Sequence, residues 1–287
     1  MFLPTTLKEV RARGWDELDV IIFSGDAYID HPAFGPAVIG RILEAEGYRV
    51  AIVPQPNWRD DLRDFTKLGK PRLFFAVSAG AMDSMVNHYT ANLRLRSNDA
   101  YTPGGKAGFR PDRAIDTYTK ILKRLYPHTP VVVGGIEASL RRLTHYDYWS
   151  DKLQRSVLAT SGADLLIYGM GDKPIREVAK SLRNGFNMKL LRGLRQVGFL
   201  ADKEYVERLY NGKTIVLNTF EECAQDKHKF GENFCHIEQL SNMMECNTTL
   251  VEQVDDRYVV ITPPHETLTT EELDHSFDLP YERAPHP

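Results

Sequence analysis

The strongest constraint on this chain is a repeated unit: a short, almost wholly apolar run that stops at a polar turn containing glycine. Asp19 to Ser24 runs into Gly25-Asp26, Leu73 to Val77 into Ser78-Ala79-Gly80, Val131 to Val133 into Gly134-Gly135, and Asp164 to Tyr168 into Gly169-Met170-Gly171-Asp172. Runs without polar alternation predict strands covered on both faces, as in a parallel sheet flanked by helices. Arg49 to Val53 supplies one more strand. Between the strands, apolar residues recur at helical spacing. Val38, Ile39, Ile42 and Leu43 precede a stop at Gly47; Ile115, Tyr118, Leu122 and Leu125 follow a cap at Asp112; Ile175, Val178, Ala179 and Leu182 follow a cap at Asp172. The predicted fold is α/β, an open parallel sheet with helices on both faces, Rossmann-like or flavodoxin-like, with right-handed crossovers. Ligands in such sheets sit beyond the carboxyl ends of the strands, so the glycine turns mark the expected binding face.

Elsewhere the signals are local. Thr6 and Glu9 form a capping box that opens a short helix ended by Gly14. Leu153, Val157 and Leu158 predict another short helix, closed by Gly162. Beyond Leu200, Asp202 is expected to cap a helix reaching Gly212, Thr214 to Leu217 to add a sixth strand, and Glu221 to Glu245 to form an acidic helix. Leu250 to Val254 and Arg257 to Ile261 are expected to pair as a hairpin, with a small C-terminal α+β extension as the result. The proline-rich end, Leu279 to Pro287, has no amphipathic pattern and reads as a linker.

Charge divides the chain. The net charge is -3, but residues 1–220 carry 32 Lys and Arg against 24 Asp and Glu (+8), and residues 221–287 carry 4 against 15 (-11). The expected organisation is a Rossmann-like domain over 1–220 and an acidic extension and linker over 221–287, with the basic part facing an anionic partner. No apolar run reaches the roughly eighteen residues of a membrane span, and the first residues lack a signal-peptide core. A cytoplasmic protein without membrane contact is expected. Cys223, Cys235 and Cys246 lie too far apart in sequence for a compact zinc or iron-sulfur motif.

Chemistry-bearing side chains crowd the segment after Val131 to Val133: Glu137, Ser139, Arg141, Arg142, His145, Tyr146, Asp147, Tyr148 and Trp149. One reading is a binding loop; the other is a structural loop whose Arg and Asp residues pair and whose aromatics fill an interface. The connection from Tyr89 to Pro111 carries Arg94, Arg96, Lys106 and Arg110, which suit a polyanion such as RNA. No P-loop, dinucleotide fingerprint or Gly-x-Ser-x-Gly elbow is present, although the turn Gly171-Asp172-Lys173-Pro174 at a helix start can in principle hold phosphate. Asp26, Asp30 and His31 offer a metal or acid/base cluster, against the alternative that His31 caps the next helix.

Three stretches carry a family resemblance: Ser24 to Pro32; Gly134 to Arg142 with His145 to Trp149; and the closing Pro280-Tyr281 to His286-Pro287. Together they resemble the N-terminal region of the YgiQ-type radical SAM proteins over nearly the whole chain. More loosely, the turns at Gly134 and Gly169 are similar to the cobalamin-binding-like domains that precede many radical SAM barrels. The resemblance implies, for the full-length family, a 4Fe-4S cluster held by Cys-x3-Cys-x2-Cys whose free iron site cleaves S-adenosylmethionine to a radical. This sequence has no such triplet. In the family it follows soon after a Tyr-x-Arg-x-Pro-His-Pro segment like the one closing this chain, so no cluster ligand carries over to a residue here, and a C-terminal radical SAM barrel is the implied partner. Asp30-His31-Pro32-Ala33-Phe34-Gly35 departs from the cobalamin signature Asp-x-His-x-x-Gly, which puts cobalamin ligated by histidine in doubt.

The expected function is an accessory domain that positions an unknown substrate or second cofactor for that barrel, with no catalytic or metal-ligating residue of its own. Its candidate binding residues are Gly25, Asp26, Tyr28, Asp30, His31, Ser78, Gly80, Asp83, Gly134, Gly135, Glu137, Ser139, Arg141, Arg142, His145, Trp149, Gly169, Gly171 and Asp172. The alternatives are a stand-alone nucleic-acid or polyanion-binding module using Arg94, Arg96 and Arg110, and a metal-dependent hydrolase built on Asp26, Asp30 and His31.

Overall fold

A computed structural model describes residues 1–209 and 213–287. One sheet holds strands β1 (Val20–Ser24), β2 (Val50–Pro54), β3 (Phe74–Ser78), β4 (Val131–Gly134), β5 (Leu165–Ile167), β6 (Val197–Ala201), β7 (Thr214–Val216), β8 (Thr249–Val254) and β9 (Arg257–Ile261). Their order across the sheet is β7-β8-β9-β6-β5-β4-β3-β1-β2. The five strands read from the apolar runs are present and mutually parallel. Their order, 2-1-3-4-5, is the flavodoxin-like one, and it reverses direction between β1 and β3.

The strands pack on both faces because successive side chains point to opposite sides. Ile21, Phe23, Phe75, Val77, Val131 and Val133 meet Ile115, Tyr118 and Leu122 of a helix spanning Ala114–Leu125, here α2. Ile22, Ile52, Phe74, Ala76, Val132 and Ile167 meet α1 (Gly35–Ala45) and α3 (Asp172–Arg183) through Ala37, Ile42, Leu43, Ile175 and Val178. The doubly wound architecture predicted from the sequence is therefore the observed one.

Several local expectations differ from the structure. Val197–Ala201 is a strand, β6, pairing antiparallel with both β5 and β9. Its sequence signal is weakened by Gly198, where a Cβ would lie 2.7 Å from Ile261 Cδ1. Leu153 sits in a strand, Lys152–Gln154, paired with His145–Asp147, and the neighbouring helix is only Val157–Ser161. Asp112 and Asp172 do not cap their helices: the N-cap positions are Arg113 and Gly171, neither with a side-chain cap. The acidic helix is split at Asp226 into Phe220–Gln225 and Lys227–Ser241. Asp202 does cap a helix, Lys203–Glu207, while the far end expected at Gly212 falls outside the described residues. The charge change at residue 220 lies between β7 and β8, which pair directly in the one sheet.

The proline-rich end is anchored. Ala284 and Pro285 pair with Ile29 and Asp30, Asp30 accepts the Glu282 main-chain N–H, and the His286 ring stacks on Tyr28. A short extended segment with no amphipathic pattern is held by main-chain pairing, which hydropathy does not reveal.

Glu252 on β8 is buried and accepts the Thr144 main-chain N–H at 2.8 Å. Burial is the larger influence and pushes its carboxyl up to about 7. The folded chain thus holds a proton that the unfolded chain has released, so Glu252 costs stability increasingly as pH rises from the ordinary Glu range through 7. Glu252→Gln should raise the unfolding free energy from urea titration above pH 7 by about 3 kcal/mol, and with it the urea midpoint, and leave both nearly unchanged near pH 4. Equal urea midpoints for the two proteins at pH 8 would contradict this account.

Candidate functional site

The carboxyl ends of the central strands are level. Ser24 of β1 is in register with Ser78 of β3, and Ser78 with Gly134 of β4. The turns leaving them touch one another. A Cβ at Gly25 would run into the Ala79 carbonyl, and one at Gly80, whose φ is +107°, would run into the Asp26 carboxylate. At Gly135, φ +83°, a Cβ would lie 2.8 Å from Ser78 Oγ. These glycines are required by close approach of neighbouring turns. Ser139 Oγ donates to the Gly135 carbonyl and accepts the Gly169 N–H at 3.0 Å, which ties the β4 turn to the β5 turn. The stretches around positions 26, 78, 137 and 170 therefore form a single rim.

Within that rim the acidic residues act on the backbone and on buried cations. Arg110, 1% exposed, donates to Asp26 and to the Ala79 carbonyl, and the nitrogen that bonds Asp26 also lies 3.7 Å from Asp99. Asp26 also accepts the Ala81 N–H. Burial raises the Asp26 carboxyl to about 6 against the pull of Arg110. Glu137, 0% exposed, accepts the N–H groups of Ser84 and Ile115, fixing the starts of the helix Ser84–His88 and of α2. Burial holds its carboxyl above the usual range. Asp83 caps Ser84–His88 and pairs with Arg141 at 2.7 Å. Asp30 is buried against Arg41, Tyr28 OH accepts the Leu3 N–H, and His31 Nδ1 accepts the Ala33 N–H at 3.1 Å. Asp26 and Asp30 thus face separate guanidiniums, and the described residues contain no group of His, Cys, Asp or Glu able to hold a metal.

The remaining candidates sit around a second edge of the rim. Arg142 donates to the Ser139 carbonyl and lies over Tyr168. His145 is half-buried, with its ring nitrogen on the Leu143 carbonyl, and burial lowers its pKa. Trp149 packs against Tyr148 and Tyr89, and Tyr148 OH donates to the Ala91 carbonyl. These aromatics fasten the His145–Gln154 hairpin to the long connection from Tyr89 to Pro111.

What stays open is a crevice of about 230 Å³ on the α1 and α3 side of the rim, at the point where strand order reverses. Its walls are apolar, with Ile22, Ile39, Ala76, Val132, Ile167 and Ile175, and its mouth is glycine main chain at Gly134, Gly135, Gly169 and Gly171. Asp172, buried at the start of α3 and accepting from Ser276 Oγ, already places a carboxylate where a phosphate would sit. The crevice therefore suits an uncharged apolar group. The sequence reading missed Ile39 and Ile175 as site residues, since at helical spacing they are indistinguishable from core.

A family model described as Radical SAM N-terminal matches residues 2–287. The chain belongs to the Radical SAM N-terminal family. Among curated proteins it is 58% identical to a UPF0313 protein of Bacteroides thetaiotaomicron and 59% identical to one of Porphyromonas gingivalis, in each case over 100% of this chain. It spans 47% and 45% of those relatives' lengths, about half. The fold is also similar, at TM-score 0.41 and 17% identity over 63% of this chain and 28% of the other, to TsrM of Kitasatospora setae, a radical S-adenosylmethionine methyltransferase solved with tryptophan and a SAM analogue. The cysteines of this Radical SAM N-terminal chain do not fit an iron-sulfur cluster. Cys223 and Cys246 are buried, Cys235 is exposed, and the Cys223 sulfur accepts from Asn233 Nδ2 at 3.2 Å.

Removing the carboxylate in Asp26→Ala would leave the Arg110 charge only the longer 3.7 Å contact to Asp99 in the interior, at a cost of about 3 kcal/mol. Asp26→Asn, which keeps an acceptor, should cost less than Asp26→Ala in a urea titration. A loss below about 1 kcal/mol for Asp26→Ala would show that the rim does not depend on this pair.

Proposed function

We propose that this chain is the domain of a radical SAM iron-sulfur enzyme that positions a substrate or second cofactor, with its rim facing the catalytic barrel. The observation that carries the proposal is the apolar surface around the rim. Among the described residues, nine of the nineteen exposed large hydrophobic ones fall in the segments that follow the carboxyl ends of β3, β4 and β5, among them Leu95, Phe109, Ile136, Leu140, Tyr148 and Met170. Exposed apolar residues at the strands' carboxyl ends, on both sides of the sheet and beside a crevice at the topological switch point, mark a surface that another body covers. The barrel is the covering body in this reading, and the crevice then opens into the space between the two. The family's 4Fe-4S cluster and S-adenosylmethionine, when bound, supply the radical, and this chain's residues orient what the radical attacks.

The alternative, a stand-alone polyanion-binding module, has less support. Arg110 is buried and neutralised, which leaves Arg94 and Arg96 as exposed cations of that trio.

After anaerobic iron-sulfur reconstitution, residues 1–287 should hold no stoichiometric cluster, while a full-length relative should hold one. A 4Fe-4S centre on residues 1–287 alone would overturn the assignment. In the full-length enzyme, Gly171→Val places a branched side chain where even a Cβ lies 3.0 Å from Ile39 Cδ1. The variant should retain the cluster and uncoupled cleavage of S-adenosylmethionine but lose substrate-dependent turnover by at least about tenfold, or about 1.4 kcal/mol. Full substrate turnover would show that the crevice is not the positioning site.

A further inference from the structure

On the opposite face of the sheet, the connection from Tyr89 to Pro111 folds back over the start of α2 and encloses a pocket of about 660 Å³. The loop is structured. Tyr89 bridges to Leu95 and Asn98 to Lys106, and the Arg96 N–H donates to the His88 carbonyl at 2.7 Å. Asp112 accepts from His88 Nδ1 at 2.8 Å and from Tyr89 OH at 3.0 Å. An aspartate on Nδ1 fixes the ring so that Nε2 is the working nitrogen. His88 lines the pocket and is 6% exposed, and its Nε2 has no hydrogen-bond partner. A buried ring nitrogen without a partner carries a desolvation cost that a ligand atom can relieve.

Most charges around the pocket are paired. Arg110 faces Asp26, Arg113 bonds Asp147 at 2.6 Å, and Asp116 bonds Lys120 at 2.7 Å. Two cations remain. Arg59 lies over the Trp58 ring at 4.5 Å, and Arg96 is exposed on the loop; among the described residues neither has a carboxylate within ion-pair distance. The pocket thus combines a fixed imidazole nitrogen with two unpaired guanidiniums against one carboxylate, Asp112, that meets no Lys or Arg among the described residues, an excess of positive charge that favours an anion.

We propose that this pocket is a second ligand site, which holds the oxyanion group of a small molecule between Arg59 and Arg96 and hydrogen-bonds it through His88 Nε2. The site is separate from the apolar crevice and does not rest on the positioning role proposed for it.

The test is calorimetric titration of the full chain with inorganic phosphate and, separately, with succinate, at constant ionic strength. Saturable binding is expected, with Arg59→Ala and Arg96→Ala each weakening it about tenfold. Arg124→Ala, an exposed cation near the far end of α2, should leave it unchanged. His88→Gln should weaken binding as well, and if that variant fails to fold, the two exposed arginines still carry the test. Tighter phosphate binding assigns a phosphate ester, and tighter succinate binding a carboxylate. Absence of saturable binding by either anion, or binding that persists in the Arg59→Ala/Arg96→Ala double variant, overturns the proposal.

Discussion

The buried pair of Asp26 and Arg110 is the contact on which the rim depends. Asp26 belongs to the turn after β1, Arg110 to the end of the long connection after β3, and the two are separated by 84 residues. Each also bonds the β3 turn, Asp26 through the Ala81 N–H and Arg110 through the Ala79 carbonyl. A buried ion pair is weak support for stability when compared with apolar packing, but breaking one partner is costly. Its value here is geometric: it sets where the loop over the second pocket begins and how closely the first two turns approach.

Other acidic residues do the same work at neighbouring joints. Glu137 holds the starts of two helices by their N–H groups, Asp83 joins a helix start to Arg141, and Asp30 joins α1 to the chain's final residues. This arrangement ties residues rich in chemistry to the backbone and to one another. Their charges and lone pairs are spent on positioning backbone, and the surfaces left for ligands are the glycine main chain and apolar walls on one face and the loop-lined pocket on the other. The two sites differ in character because α1 and α3 present Ile39 and Ile175, whereas the segment before α2 presents Arg110, Asp112 and Arg113.

The chain belongs to the Radical SAM N-terminal family and spans about half the length of its curated relatives. The exposed apolar residues at the strand ends are what support the proposal that the rim faces a catalytic barrel.

The sequence by itself determined the strands, since five uninterrupted apolar runs have no other stable arrangement than a covered parallel sheet, and it placed the glycine turns at their carboxyl ends. It placed Asp26 in the turn after β1, but it read Glu137 as a loop residue, whereas Glu137 lies in a helix, Gly135–Leu140, that ends at Arg141. It did not reveal that Glu137 points inward or that Arg110 is buried, because burial of a charged side chain depends on a partner distant in sequence. Nor did it show β6, whose Gly198 breaks the pattern, or the anchoring of Ala284 and Pro285, which is main-chain pairing and leaves no hydropathic trace. The second pocket was decided only in three dimensions: His88 and Asp112 carry no motif, and their pairing follows from the loop's folding back over α2.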